Sequence, residues 1–169
     1  GHGCYSIIII IIVCFILLFK SKIMTMVVEF ADRSDDVYNC YLSVIKNENA
    51  NNIVVIGDSC GANMAVSLCM KLRDNAKPLP SSVILFSFWG DLSNSGSSYK
   101  ENCHRDPFYG IPKRISYEDA KDKIHRITLY AQGEDLYNPY LSPCFGSFAD
   151  FPKTILVCRF GAKRQLYGI

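Results

Sequence analysis

An excess of charge of either sign is missing from this chain. Lys and Arg number 18 against 16 Asp and Glu, a formal net charge of +2. The basic residues that do stand together, Lys20 with Lys22 and Lys163 with Arg164, are pairs rather than a face. A nucleic-acid-binding surface needs a clustered basic patch, so that class of partner is excluded. Cys-x-x-Cys spacing is missing as well. The 8 cysteines stand at positions 4, 14, 40, 60, 69, 103, 144 and 158. That removes support for a zinc site or a thioredoxin-like redox motif, and no metal or cofactor is expected. Cys14, Cys69 and Cys158 lie in apolar runs, which reads as small buried hydrophobes rather than a disulfide framework. Internal repeats are also lacking.

What is present suits a folded core. The 169 residues are 49% apolar and 20% charged, the size and balance of one globular domain. The first residue is glycine, from which a fragment or a processed chain is expected. Ile7 to Phe19 reads IIIIIIVCFILLF without a charge and is followed by Lys20-Ser21-Lys22. As a helix it would be about 20 Å long, against the ~30 Å of a bilayer core. A membrane segment, a signal h-region, and a buried strand or core helix are all consistent with that length; the β-branched isoleucines favour a strand. The expected division is residues 1–22 as an apolar N-terminal segment and 23–169 as the domain. Membrane-associated and cytoplasmic locations both stay open, as does oligomeric state.

Ile23 to Phe30 has strand character. Asp32, Ser34 and Asp35 offer caps for an amphipathic helix with Val37, Tyr38, Tyr41, Leu42 and Ile45 on its apolar face. The run Ile53 to Ile56, bounded by Asn52 and Gly57, predicts a buried parallel strand. A helix over Cys60 to Arg73 follows, with Met64, Leu68 and Leu72 on one stripe. Val83 to Phe88 predicts another strand, and Asp91 to Pro112 a loop. A helix is expected over Tyr117 to Tyr130, with Glu118 and Asp119 in its first turn, and a last strand over Thr154 to Cys158. Strands alternating with helices predict an α/β fold with a mostly parallel sheet.

The chemistry concentrates at Gly57-Asp58-Ser59-Cys60-Gly61. A serine hydroxyl is a poor nucleophile unless it is exposed, next to a base, and supplied with donors for the oxyanion it creates. Gly-x-Ser-x-Gly between a strand and a helix gives exposure, because the serine rides a tight corner whose flanks have no room for side chains. The backbone N–H of Cys60 would then be one oxyanion donor, aided by the positive end of the helix.

From Gly57 through Ala65 the chain resembles the elbow of the hormone-sensitive-lipase-like carboxylesterases, the α/β-hydrolase fold-3 group. The resemblance continues in order through Phe88-Trp89-Gly90-Asp91-Leu92, Arg105-Asp106-Pro107-Phe108, Asn138-Pro139-Tyr140-Leu141-Ser142-Pro143 and Phe151-Pro152-Lys153-Thr154-Ile155. It implies a partial α/β-hydrolase fold for 23–169, a mostly parallel sheet flanked by helices, with Ser59 as nucleophile and a small-molecule ester as substrate. It implies a second oxyanion donor from a His-Gly-Gly-Gly loop. His2-Gly3-Cys4-Tyr5 is the candidate, which nominates Gly3 but has Cys4 in place of the next glycine.

The resemblance places the catalytic acid just after the last strand, where this chain reads Arg159 to Gln165 without Asp or Glu. The catalytic His would follow further on, and no position matches it. His125 with Asp106 or Asp119 obeys the chain order of such triads, but Lys121, Lys123 and Arg126 mark that stretch as a solvated surface; His104 sits in a polar loop. A truncated or degenerate esterase with weak or no turnover is therefore expected. The alternative is a non-catalytic hydrolase-like protein, binding a ligand or anchored to a membrane through Ile7–Phe19; an unstable product with an open sheet edge is a third reading.

Overall fold

The computed structural model describes residues 8–13, 30–105, 110–120, 131 and 133–158, with side chains from Ser34 onward. Four strands, β1 (Ile8–Val13), β2 (Ile53–Asp58), β3 (Ser82–Phe86) and β4 (Lys153–Val157), form one sheet in that order. All three pairings are parallel: Ile8 opposes Ile53, Val55 opposes Val83, and Leu85 opposes Leu156. Helix α1 (Phe30–Val44) leads into β2, and α2 (Cys60–Asp74) joins β2 to β3. Among the described residues, the long segment between β3 and β4 includes the short helices α3 (Ser97–Glu101) and α4 (Tyr117–Ala120). The observed architecture is the partial α/β-hydrolase arrangement expected, a parallel sheet with helices packed on it.

Ile8 to Val13 pairs with β2 as a strand. Cys14 to Phe19 lies outside the described residues, as do residues 23–29 of the second apolar stretch. No helix among the described residues is long and apolar enough to cross a membrane. Phe30 belongs to α1 rather than to a strand, and the proposed capping residues Asp32, Ser34 and Asp35 sit inside that helix. Asp35 is used sideways instead: it pairs with Lys71 on α2, whose ammonium also lies 5.0 Å from the centre of the Tyr38 ring.

One face of the sheet is packed. Ile53 and Val55 of β2 and Val83 and Leu85 of β3 are fully buried together with Tyr41 and with Ala62, Ala65, Val66, Cys69 and Leu72 of α2. Burial holds the Cys69 thiol up at about 12. α2 is more deeply enclosed than a single apolar stripe predicts, because every residue from Gly61 to Met70 is buried. The sheet covers one side and α1 another, while the 138–148 segment closes over the helix from a third direction, through Tyr140 and Phe148. The buried Asn63 and Ser67 of α2 donate to backbone carbonyls outside the helix.

Strand residues alternate between faces, so Val54, Ile56, Ile84, Phe86, Ile155 and Val157 turn away from α2. Phe86, Ile155 and Val157 are exposed. Cys158, expected to be buried, is exposed too, because it lies just past the end of β4, whose residues are largely exposed.

Candidate active site

The corner between β2 and α2 is built by three residues. Gly57 is the last β2 residue directed at the helix, and a Cβ there would stand 2.6 Å from Ala62 Cα and from Gly61 C. Only glycine lets strand and helix approach this closely. Ser59 then takes φ 58° and ψ −116°, a region that residues with a side chain rarely occupy and that costs roughly 1–3 kcal/mol. The surroundings hold it there. Its N–H donates to the Phe86 carbonyl of β3 at 2.9 Å, and its carbonyl accepts from the Asn63 N–H at 3.2 Å. The chain therefore turns from strand to helix within one residue, and the half-buried Ser59 side chain stands on the turn at the carboxyl end of the sheet. That edge is where open parallel sheets bind ligands.

Ser59 occupies the cap position of α2, yet its hydroxyl makes no capping hydrogen bond to the first turn. Cys60 is the first residue of α2, at the positive end of the helix. Cys60 itself is half-buried, Gly61 is buried and Asp58 is exposed at the end of β2. Gly57, Asp58, Ser59, Cys60 and Gly61 thus stand at the corner where β2 passes into α2. Gly3 lies outside the described residues, as do Asp106 and His125. Asp119 spends its carboxylate on Ser116 Oγ at 2.5 Å, in its own helical turn. His104 is exposed, and its Nδ1 donates to the Ile111 carbonyl at 3.1 Å. Among the described residues no group of three His, Cys, Asp or Glu could hold a metal ion.

Two segments frame the corner, and pattern reading did not assign them a role. The first follows β3. Asp91 gathers it through its carboxylate, which accepts from Ser93 N at 2.8 Å, Ser95 N at 2.8 Å and Gly96 N at 3.3 Å. The second is 138–144. Its Ser142 Oγ accepts from Leu92 N at 2.9 Å, and its Cys144 N donates to Gly90 O at 3.0 Å. Both segments are fastened to α2 by Asn63, fully buried one turn after Ser59. Asn63 Nδ2 donates to Trp89 O at 2.7 Å and to Leu141 O at 2.9 Å. Ser67, the next residue on that side, donates to Tyr140 O.

Residues 28–160 match the profile of a family described as alpha/beta hydrolase fold. The chain is 31% identical over 139 residues to an esterase of Acinetobacter venetianus, covering 82% of this chain and 42% of that protein. It is 29% identical over 115 residues to an acetyl-hydrolase of Streptomyces hygroscopicus, covering 68% of this chain and 35% of that one. The chain thus spans less than half the length of either curated relative. The crystal structure of an esterase from the bacterial hormone-sensitive lipase family superposes with a TM-score of 0.65 at 22% identity, over 78% of this chain and 41% of that one. With the parallel sheet, the corner at Ser59 and the motifs in order along the sequence, the match over residues 28–160 places the chain in the alpha/beta hydrolase fold family.

Proposed function

We propose that this chain carries the nucleophile of a carboxylic ester hydrolase, and that Ser59 is that nucleophile. The observation that carries the reading is the backbone of Ser59, φ 58° and ψ −116° between a parallel strand and an enclosed helix. A residue held in so rare a conformation marks a place where function overrides local preference. The esterase and acetyl-hydrolase relatives support an ester of a small or medium acyl group as substrate.

In this reading Ser59 Oγ attacks the ester carbonyl, the carbonyl oxygen takes up negative charge, and the Cys60 N–H with the positive end of α2 stabilises it. Gly3 is the proposed second donor. The Oγ proton passes to solvent water; collapse breaks the bond to the alcohol, which leaves carrying a proton from that water, and a second water then takes the acyl group as the free acid and returns a proton to Ser59 Oγ. The stretch Arg159 to Gln165 offers no carboxylate where the family resemblance puts the acid. Oxyanion stabilisation and binding alone sustain roughly 10³–10⁴ over the uncatalysed rate, so slow turnover is the expectation for this chain.

The test is hydrolysis of p-nitrophenyl acetate and butyrate by this chain and by Ser59→Ala. The reading predicts slow release of p-nitrophenol that vanishes in the variant. A rate that Ser59→Ala leaves unchanged contradicts it.

A further inference from the structure

Asn63 makes contacts that the helix itself does not need. A buried polar residue in mid-helix is a cost unless its groups are satisfied, and Asn63 Oδ1 has no hydrogen-bond partner, so what Asn63 contributes comes from its amide nitrogen. Here one amide nitrogen meets two backbone carbonyls from segments 26 and 78 residues away, Trp89 O at 2.7 Å and Leu141 O at 2.9 Å. The two segments are then tied to each other, by Leu92 N to Ser142 Oγ at 2.9 Å and by Cys144 N to Gly90 O at 3.0 Å. The same α2 turn is tied to the corner, since Asn63 N donates to Ser59 O. The nucleophile's turn, the loop leaving β3 and the 138–144 segment therefore meet at one side chain, and that side chain is fully buried.

We propose that Asn63, working with Ser142, is a positioning residue for Ser59: the brace fixes the 88–92 loop and the 138–144 segment as walls at a set distance from the nucleophile. This rests on Ser59 being the nucleophile. Neither residue touches the reacting atoms; they act by holding backbone. The chemistry demands an amide at position 63. Two carbonyl acceptors need two N–H groups on one neutral planar nitrogen. Asp has the same shape but turns an oxygen toward both carbonyls, and only its protonated form donates, to one of them.

The experiment compares Asn63→Asp with the wild-type chain by two readouts. The first is the rate of covalent labelling of Ser59 by a fluorophosphonate, from pH 5 to 8. The second is amide hydrogen exchange at Leu92 and Cys144, with Val55 and Leu85 as core references. The proposal predicts labelling at least 10-fold slower than wild type at pH 7.5, with the gap narrowing toward pH 5 as the introduced carboxyl takes up a proton. It also predicts exchange at Leu92 and Cys144 at least 10-fold faster, with Val55 and Leu85 unchanged. Labelling equal to wild type overturns the proposal, whatever the exchange shows. A wild-type chain that takes no label overturns the nucleophile reading instead; exchange at Leu92 and Cys144 then decides the brace by itself, faster exchange supporting it and unchanged exchange refuting it. Should Asn63→Asp lose protection at Val55 and Leu85, Ser142→Ala decides, because it removes only the acceptor of Leu92. Slower labelling with faster Leu92 exchange supports the brace, and wild-type values of both refute it.

Discussion

Asp74 closes α2 with a carboxylate that accepts from Arg73 Nε at 2.9 Å and from the Tyr140 hydroxyl at 2.6 Å. The hydrogen bond from Arg73, then that from Tyr140, hold its carboxyl below the usual range, against a smaller opposing effect of burial. A carboxyl whose pKa is lower folded than unfolded adds stability above its unfolded pKa of about 3.9, and loses it as pH falls through the folded value. Asp74→Asn is therefore expected to be less stable than wild type from pH 5 to 7, with the difference shrinking below about pH 4. Urea unfolding across that range checks it, and a difference independent of pH contradicts it. The same hydroxyl anchors the 138–144 segment to the far end of α2, so Asp74 and Asn63, near opposite ends of that helix, hold the adjacent residues Tyr140 and Leu141. Neither role was legible from sequence. Asn63 appears there only as one letter of a motif, because its partners are carbonyls, which every residue carries. The strand-to-helix corner at Ser59 was legible, because its glycine neighbours are visible as letters.

At the scale of elements, the apolar run Ile53 to Ile56 announced β2, but the strand continues through Gly57 and Asp58. Those residues disfavour strands on their own, and they are held because β1 and β3 flank them on both sides. Ile7–Phe19 could not be resolved by length alone. What decides Ile8 to Val13 is a partner strand 45 residues away in sequence, Ile8 opposite Ile53. The early start of α1 was likewise hidden, since capping residues advertise a helix start even when they lie within the helix. Gly57 gives the sharpest test at this scale. Gly57→Ala puts a methyl group 2.6 Å from Ala62 Cα, backbone that cannot step aside without moving α2. Overpacking of this kind costs about 1–3 kcal/mol or more, and a fall in Tm of roughly 5 °C or more is expected by circular dichroism. An unchanged Tm would mean the corner is looser than this geometry allows.

Across the whole molecule, the sheet is unevenly clothed. Parallel sheets ordinarily carry cover on both faces, whereas here α1 and α2 share one, and Phe86, Ile155 and Val157 stand exposed on the other. The chain spans 42% of its esterase relative, and the family profile matches residues 28–160, which hold the β2–α2 corner, β3, β4 and the two braced segments. The fold class was readable because alternation of strand and helix is a pattern in one dimension. The braced walls were not, because they arise only when loops 26 and 78 residues distant meet α2. The central claim is that this architecture presents Ser59 as a nucleophile. Its most direct measurement is reaction of the folded chain with a fluorophosphonate, followed by peptide mapping of the adduct. The account predicts one slow adduct on Ser59, absent in Ser59→Ala. A folded chain that takes no label, or one labelled equally in Ser59→Ala, would contradict it.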